Sequence, residues 1–281
     1  MPAPLLVLAA ALSVQTGAGI ARGLFDDLGP AGTVLLRTLF GALVVVALWR
    51  PRVRGRDRAD LRAAVAFGLV LAAMNLTFYE AIDRIPLGIA VAIEFAGPLG
   101  VAVAGSRRRL HVAWVVIAAV GILLLVRTGG GANLAGVGYA AAAAACWAAY
   151  ILLSQRAGRA FPRGEGLAIA MTVGTVALVP IGVAGAGSSL LALGPLATGA
   201  VIGLLSSAIP YSLELEALRR LPARVFGVLL SLDPAIAALA GFVILGQDLG
   251  SREIAGIALV VLASVGASAT SDEPEPAEAM P

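Results

Sequence analysis

Apolar residues occur along the chain in long stretches that are separated by short polar connections. The segment 86–98, PLGIAVAIEFAGP, is typical, and Glu94 is its single charged residue. These stretches lack the regular alternation of a membrane β-barrel strand, whereas about 20 apolar residues form a helix that crosses a hydrocarbon core of roughly 30 Å. The stretches that approach this length are 3–23, 29–49, 61–81, 85–105, 110–126, 134–154, 166–186, 195–217, 222–245 and 252–269. The pattern therefore predicts an all-α membrane protein with ten transmembrane helices.

The composition excludes a soluble globular domain. Hydrophobic residues make up 59% of the 281 residues and charged residues 13%, whereas a soluble domain usually carries about a quarter charged residues. The first stretch has no Arg or Lys before it, unlike a signal peptide, so we expect it to be retained as the first helix. The last stretch is followed by 271–281, SDEPEPAEAMP, whose acidic, proline-containing composition predicts a disordered tail.

The positive charges are distributed unevenly between the two ends of the predicted helices. All 20 basic residues are arginines, and 15 of them lie in or beside the connections after the second, fourth, sixth and eighth stretches. The other five are Arg22, Arg37, Arg84, Arg127 and Arg252. Because arginine-rich connections stay in the cytoplasm, we expect a multi-pass membrane protein with both termini cytoplasmic. The net positive charge of the chain then reflects its topology and its contact with lipid. The sequence has no surface of basic and aromatic residues together that would indicate nucleic-acid binding.

Part of the first half of the sequence recurs in the second half. YEAIDRIP (79–86) and LEALRRLP (215–222) share a glutamate, an arginine and a proline at the same positions, and Pro98 and Pro234 follow at the same spacing. A repeat unit with an odd number of helices must enter the membrane from the opposite face in its second copy. The recurrence therefore predicts two inverted five-helix repeats, an architecture common in transporters, whose substrate sites lie near the midplane between the halves.

The repeat predicts the boundaries of three segments. The first repeat covers 1–130, the second covers 131–270, and the cytoplasmic tail covers 271–281. Glu80 and Glu216 each precede an arginine by four residues, which places both partners on one helix face near a membrane boundary. We therefore expect these two glutamates to form structural ion pairs at helix ends.

Four other charged residues lie deep within apolar stretches, namely Arg37, Glu94, Glu214 and Asp233. Charges at such depth are rare, face a partner or a water-filled cavity, and mark substrate or ion paths. Two interpretations remain open: an ion pair of Arg37 with one carboxylate that fixes the packing, or a transport site. Pro98 and Pro234 favour the transport site, because a proline removes a backbone donor and matching broken helices in two halves indicate a binding site.

A carboxylate in such a site suits coupled transport. When ionised, Glu94 would hold the ammonium group of an amino acid by a charge-assisted hydrogen bond, and it could take up a proton when the ammonium leaves. Further polar residues inside the predicted helices could line a cavity, although Tyr and Trp also serve as interface anchors. These residues are Gln15, Asn75, Tyr79, Trp147, Tyr150, Ser207 and Tyr211.

The sequence offers no constellation for an enzyme, a metal or a cofactor. Cys146 is the single cysteine and His111 the single histidine, so neither an intramolecular disulfide nor a zinc site with its three or four ligands can be assembled from them. The segment RTGGGAN (127–133) lacks the lysine of a phosphate-binding loop. A nucleophile elbow is also missing.

Several long segments, in order along the chain, resemble the EamA-type family of the drug/metabolite transporter superfamily, and within it the bacterial threonine/homoserine exporters. These segments are SVQTGAGIARGLF (13–25), PLGIAVAIEFAGP (86–98), ACWAAYILLSQRAG (145–158) and PYSLELEALRRLPARVFGVLLSLDPA (210–235). The resemblance implies a ten-helix exporter of the bacterial plasma (inner) membrane that is driven by the proton-motive force. It also implies that typical positions of these exporters are occupied by Gln15, Arg37, Asn75, Glu94, Trp147, Tyr150, Tyr211, Glu214 and Asp233. Related exporters carry apolar residues in place of Glu80 and Glu216, which agrees with a structural role for both.

We therefore expect an exporter of small amino acids such as threonine or homoserine that works by alternating access and is coupled to protons, without a cofactor. A drug or metabolite exporter of broader specificity is the alternative within the same superfamily, and a wide apolar cavity would favour it. A passive channel is the alternative of a different class. A channel would show a filter loop or a ring of charges at an oligomeric axis, and neither is visible in the sequence. The sequence leaves the oligomeric state open.

Overall fold

The computed structural model describes residues 2–104, 109–126, 133–162 and 164–270. Within these residues all regular structure is helical, which confirms the predicted all-α class. The helices are α1 (Ala3–Arg22), α2 (Phe25–Trp49), α3 (Arg58–Arg84), α4 (Leu87–Glu94), α5 (Ala96–Ala104), α6 (Arg109–Val126), α7 (Leu134–Ala160), α8 (Glu165–Ala186), α9 (Leu193–Gly203), α10 (Ile209–Leu218), α11 (Ala223–Leu230), α12 (Asp233–Leu245) and α13 (Ser251–Thr270). A short 3₁₀ helix covers Gly187–Leu191, and a π-helical turn, Leu204–Ala208, joins α9 to α10.

Several of these helices, alone or joined to the next one, are long and apolar enough to cross a membrane. Among the described residues eight helical segments meet that requirement, and two shorter apolar segments cover Leu87–Val101 and Val112–Val126. Large apolar side chains such as Leu43, Leu152 and Val243 are exposed on the outer surface of the bundle. An outer surface of this kind is suited to lipid, so the chain is a multi-pass helical membrane protein.

Two of the predicted helices, 85–105 and 222–245, are discontinuous, which confirms the breaks that Pro98 and Pro234 predicted. The first consists of α4 and α5, which meet at Phe95, and the second consists of α11 and α12. The breaks have the same cause, because a proline cannot donate a hydrogen bond to the carbonyl four residues before it. Pro98 leaves the carbonyl of Glu94 without its helical donor, and Pro234 does the same to Leu230. These are the residues at which α4 and α11 end.

The predicted stretch 195–217 also differs from a regular helix, because it contains the π-helical turn. The backbone N–H of Ile209 donates to the carbonyl of Leu204, five residues earlier, and the next residue is Pro210. A π-helical turn inside an α-helix frequently marks a functional site. In this chain it lies in the cavity wall described below.

The discontinuous helices α4 and α12 pack directly against each other. A Cβ placed on Gly88 would lie 2.7 Å from both Cα and Cβ of Ala238, so only glycine permits this approach. The backbone N–H of Leu87, at the start of α4, donates to Oε1 of Gln247 at 3.0 Å. The connection after α12 thereby holds the N-terminus of the helix that ends in Glu94.

The ion pairs expected at helix ends are both formed. Nη1 of Arg84 lies 2.6 Å from Oε2 of Glu80, and Arg220 contacts Glu216 in the same arrangement. The guanidinium carbon of Arg84 also lies 5.0 Å from the ring centroid of Tyr139 on α7. The hydrogen bond from Arg220 lowers the pKa of the exposed Glu216 carboxyl below its ordinary value.

Some expectations fall outside the described residues. They concern Arg127, the glycine-rich segment 127–132 that was compared with a phosphate-binding loop, and the tail at 271–281. The same is true of the arginines at 107 and 108 and of the side chain of His111.

Candidate functional site

A cavity of about 710 Å³ lies inside the helical bundle. Nine of the eleven residues that the sequence suggested for the site line it, namely Gln15, Arg37, Asn75, Glu94, Trp147, Tyr150, Tyr211, Glu214 and Asp233. They come from α1, α2, α3, α4, α7, α10 and α12, so residues distant in sequence converge on one space. The exceptions are Ser207, described below, and Tyr79, which is fully buried behind the cavity wall. The guanidinium carbon of Arg37 lies 5.3 Å from the centroid of its ring.

Two of the three cavity carboxyls, those of Glu94 and Asp233, lie at the helix breaks. Glu94 is the last residue of α4, and Asp233 is the first residue of α12. Each is only 8% exposed, and Oδ1 of Asp233 has no hydrogen-bond partner among the described residues. Glu214 lines the same cavity from α10. Within the described part of the chain, no arginine lies within 4.0 Å of these three carboxyl groups.

Arg37 supplies the positive charge of the cavity wall. Its Nη2 donates a long hydrogen bond to the carbonyl oxygen of Ser206 at 3.5 Å, and its guanidinium faces the ring of Tyr79. No carboxylate oxygen among the described residues lies within 4.0 Å of it. Most of its five N–H donors are therefore available to an anionic group in the cavity. The packing ion pair between Arg37 and a carboxylate, which the sequence left open, is not formed with any described residue.

The π-helical turn explains why Arg37 finds a backbone acceptor. Pro210 has no N–H, so the carbonyl of Ser206, four residues earlier, lacks a helical donor. The carbonyl of Leu205 is also freed, because the N–H of Ile209 bonds to Leu204 instead. Ser13 Oγ donates to the Leu205 carbonyl at 2.7 Å, and Arg37 donates to that of Ser206.

The sequence analysis selected Ser207 as a cavity residue, and this prediction is wrong by one position. Ser206 lines the cavity, whereas Ser207 packs against α2, where a Cβ on Gly41 would lie 2.8 Å from its Oγ. The cause is the π-helical turn, which holds more residues per turn than an α-helix and so rotates the following side chains. Pro210 could have indicated this irregularity from the sequence. A proline leaves the carbonyl four residues before it without a helical donor, and for Pro210 that carbonyl belongs to Ser206.

Sequence reasoning also missed two polar residues on α7 and several apolar residues of the wall. Ser154 and Gln155 line the cavity together with Trp147, Tyr150 and Ile151. These five positions follow the helical spacing i, i+3, i+4, i+7 and i+8. Extending the period from Trp147 and Tyr150 would therefore have found them. The apolar part of the wall includes Met74, Phe78, Val91, Phe226 and Leu230.

The cavity extends toward the helix ends that carry the arginine-rich connections. Gln155, Glu214 and Phe226 line it, and each lies within about one and a half turns of such an end. Toward the opposite end the bundle is filled by buried apolar side chains, including Phe25 and Ile82. In the described part of the chain, no group of three or more His, Cys, Asp or Glu side chains could hold a metal ion.

A bundle of membrane-spanning helices around a cavity with charged walls is typical of multi-pass membrane transport proteins. Residues 134–269 match the EamA-like transporter family. The chain is 41% identical over 274 residues to the threonine/homoserine exporter RhtA of Salmonella typhimurium (strain LT2), covering 95% of this chain and 92% of that protein. It is 39% identical over the same shares to the exporter of that name from Escherichia coli (strain K12). The chain therefore belongs to the EamA-like transporter family, which confirms the resemblance found in the sequence.

A solved structure also shares the fold of this chain. It is 20% identical in sequence, and the two align with a TM-score of 0.61 over 95% of this chain and 97% of the other. At that identity the comparison supports the fold alone.

Proposed function

We propose that the protein is a secondary active exporter of small amino acids of the threonine or homoserine type. It works by alternating access in the bacterial inner membrane and uses protons as the coupling ion. The observation that carries the proposal is the cavity, in which one guanidinium and three carboxyls lie without pairing to each other. Charged groups kept apart in this way are available to a zwitterion. The relatives at 39–41% identity are named for the export of such substrates.

The charges of the cavity fit the two ends of an amino acid. Arg37 binds the substrate carboxylate, because the planar guanidinium matches a carboxylate with two parallel hydrogen bonds. Glu94 binds the ammonium group by a charge-assisted hydrogen bond. Asp233, whose Oδ1 has no partner among the described residues, stands ready to share that role.

Proton coupling follows from competition at one carboxyl. Glu94 carries either the substrate ammonium or a proton, and in both states its charge is neutralised inside an apolar wall. Release of the amino acid on the outer side allows a proton to bind, and its return inward regenerates the carboxylate. Export is thereby driven by the proton gradient without any covalent step.

The proposed transport cycle uses two inverted five-helix repeats, 1–130 and 131–270. The matching breaks at Glu94 and Leu230, which lie at equivalent positions of the repeated segment, support this division. The family match at 134–269 covers the second repeat and supports it as well. By the arginine distribution, both termini and the tail are cytoplasmic. The cavity then extends toward the cytoplasm, where an exporter takes up its substrate.

The size of the cavity favours a second candidate, an exporter of broader specificity. A volume of about 710 Å³ lies in the range of roughly 300–1,000 Å³ that is usual for drug-sized ligands. Met74, Phe78 and Phe226 add apolar surface that a small polar amino acid would not fill. Larger metabolites that carry an amino group and a carboxylate would use the same charged anchors.

Transport by purified protein in proteoliposomes tests the proposal. Vesicles are loaded with labelled threonine, homoserine or one of a panel of other amino acids, and efflux is followed with and without an imposed pH gradient. We expect saturable efflux of threonine and homoserine that the gradient accelerates, and counterflow when unlabelled substrate is present on the opposite side. Efflux that neither saturates nor shows counterflow would indicate a channel. Preference for large apolar metabolites would favour the second candidate.

A further inference from the structure

One polar side chain in the cavity wall has no function in the account above. Ser206 lies in the π-helical turn and is only 3% exposed, and its Oγ has no hydrogen-bond partner among the described residues. A buried hydroxyl without a partner is destabilising, and such groups usually have one. Ser206 nevertheless belongs to the residues that line the cavity. A bound substrate would supply the missing partner.

The backbone of Ser206 is held at a fixed place, and its hydroxyl lies against α1 in this structure. Its Oγ is buried beside Gly17, where any Cβ would collide with it. One turn earlier on the same face of α1, Ser13 Oγ donates to the carbonyl of Leu205 at 2.7 Å and fixes the π-helical turn. The turn and α1 therefore form one packed unit, and the Ser206 hydroxyl would reach the cavity only by a rotation about χ1.

Ser206 also lies next to the proposed carboxylate anchor. Its backbone carbonyl accepts the hydrogen bond from Nη2 of Arg37 at 3.5 Å. In a small amino acid the side chain begins only a few bonds from the carboxylate. The first side-chain atoms of a substrate whose carboxylate is held by Arg37 are therefore within reach of the π-helical turn.

We propose that Ser206 forms a subsite for the side-chain hydroxyl of the substrate and determines the preference for hydroxylated amino acids. This inference rests on the proposed function. A serine hydroxyl both donates and accepts hydrogen bonds and rotates to suit its partner, so it serves a hydroxyl on the β carbon, as in threonine, or on the γ carbon, as in homoserine. Both substrates are hydroxylated forms of 2-aminobutyrate. The parent compound would leave Ser206 unpaired, and a polar group left unpaired in this way is what discriminates against an analogue.

The test compares three substrates in proteoliposomes: threonine, homoserine and 2-aminobutyrate. The variants are Ser206→Ala and, as a matched control, Ser207→Ala, which removes an equally buried hydroxyl from the neighbouring residue outside the cavity. We expect the wild type to prefer both hydroxylated substrates over 2-aminobutyrate in kcat/KM. In Ser206→Ala this preference falls by about tenfold, the effect of one hydrogen bond in a closed site. In Ser207→Ala it is unchanged.

A second variant guards against a folding defect in Ser206→Ala. Gly17→Ala leaves the serine in place but fills the space that its hydroxyl occupies in the structure, so the hydroxyl is turned away from α1 and the preference for threonine over 2-aminobutyrate should not fall. An unchanged preference in Ser206→Ala, or a lower preference in Gly17→Ala, overturns the inference, as does a loss of all three substrates by the same factor in Ser206→Ala. A wild type that transports threonine and 2-aminobutyrate equally well overturns the subsite but leaves the proposed function intact. A wild type that transports none of the three removes the proposed function itself.

Discussion

The contact between the two discontinuous helices predicts the effect of one added methyl group. In Gly88→Ala the new Cβ would lie 2.7 Å from Cα and Cβ of Ala238, whereas carbon atoms pack at about 3.5–4.0 Å. Because one of the two atoms belongs to the backbone of α12, no side-chain rotation relieves the clash, and the helices must separate by roughly 0.8–1.3 Å. Overpacking of this kind costs about 1–3 kcal/mol of unfolding free energy. The hydrogen bond from Leu87 N–H to Gln247 at 3.0 Å joins the same elements and would be strained as well.

Thermal unfolding of the purified protein in detergent measures this cost. At roughly 2–4 °C per kcal/mol for a chain of this size, we expect the midpoint of Gly88→Ala to fall by about 2–12 °C. The control is Gly138→Ala on α7, where no atom lies within 4 Å of the new Cβ. Its midpoint should not fall, because alanine is the better helix former by about 1 kcal/mol. If Gly88→Ala unfolds at the same temperature as Gly138→Ala, the close packing of α4 on α12 is refuted.

Three further substitutions test separate parts of the account. Tyr79→Phe removes a buried hydroxyl without a partner among the described residues and keeps the ring beside Arg37. The free energy of unfolding in detergent should rise by about 1 kcal/mol, and a fall would mean that the Tyr79 hydroxyl is hydrogen-bonded. Arg37→Lys keeps the charge but not the planar donor pair, so the KM for threonine should rise by about tenfold or more; an unchanged KM would remove Arg37 from substrate binding. Glu216→Gln should leave the pH dependence of threonine transport unchanged, because Arg220 lowers the pKa of Glu216 and keeps this carboxylate ionised at neutral pH. A shifted pH profile in Glu216→Gln would contradict that assignment.

The residues of the cavity wall were largely predictable because a charge in a membrane helix is costly wherever it faces lipid. Arg37, Glu94, Glu214 and Asp233 stood out by depth alone, and all four line one cavity. Depth does not show which face of a helix a residue occupies, however. Tyr79 was selected on the same basis and lies behind the wall.

Backbone irregularities limited the sequence analysis elsewhere. Pro98 and Pro234 predicted two broken or bent helices, and α4 and α11 do end four residues before these prolines, although the residue at which each break lies was not predicted. The π-helical turn shifted the cavity serine from Ser207 to Ser206. The contact of Gln247 with Leu87 joins residues 160 positions apart, and no local pattern reports a contact of that range.

The central claim is that Glu94 exchanges the substrate ammonium for a proton, and the most direct measurement compares Glu94→Gln with Glu216→Gln in proteoliposomes under an imposed pH gradient. Both substitutions remove one carboxylate, but only the first removes it from the cavity. We predict that the gradient accelerates threonine efflux in Glu216→Gln as in the wild type and has no effect in Glu94→Gln. The purified Glu94→Gln protein should remain folded and monodisperse. Threonine efflux that the pH gradient still drives at the wild-type rate in Glu94→Gln would contradict the claim.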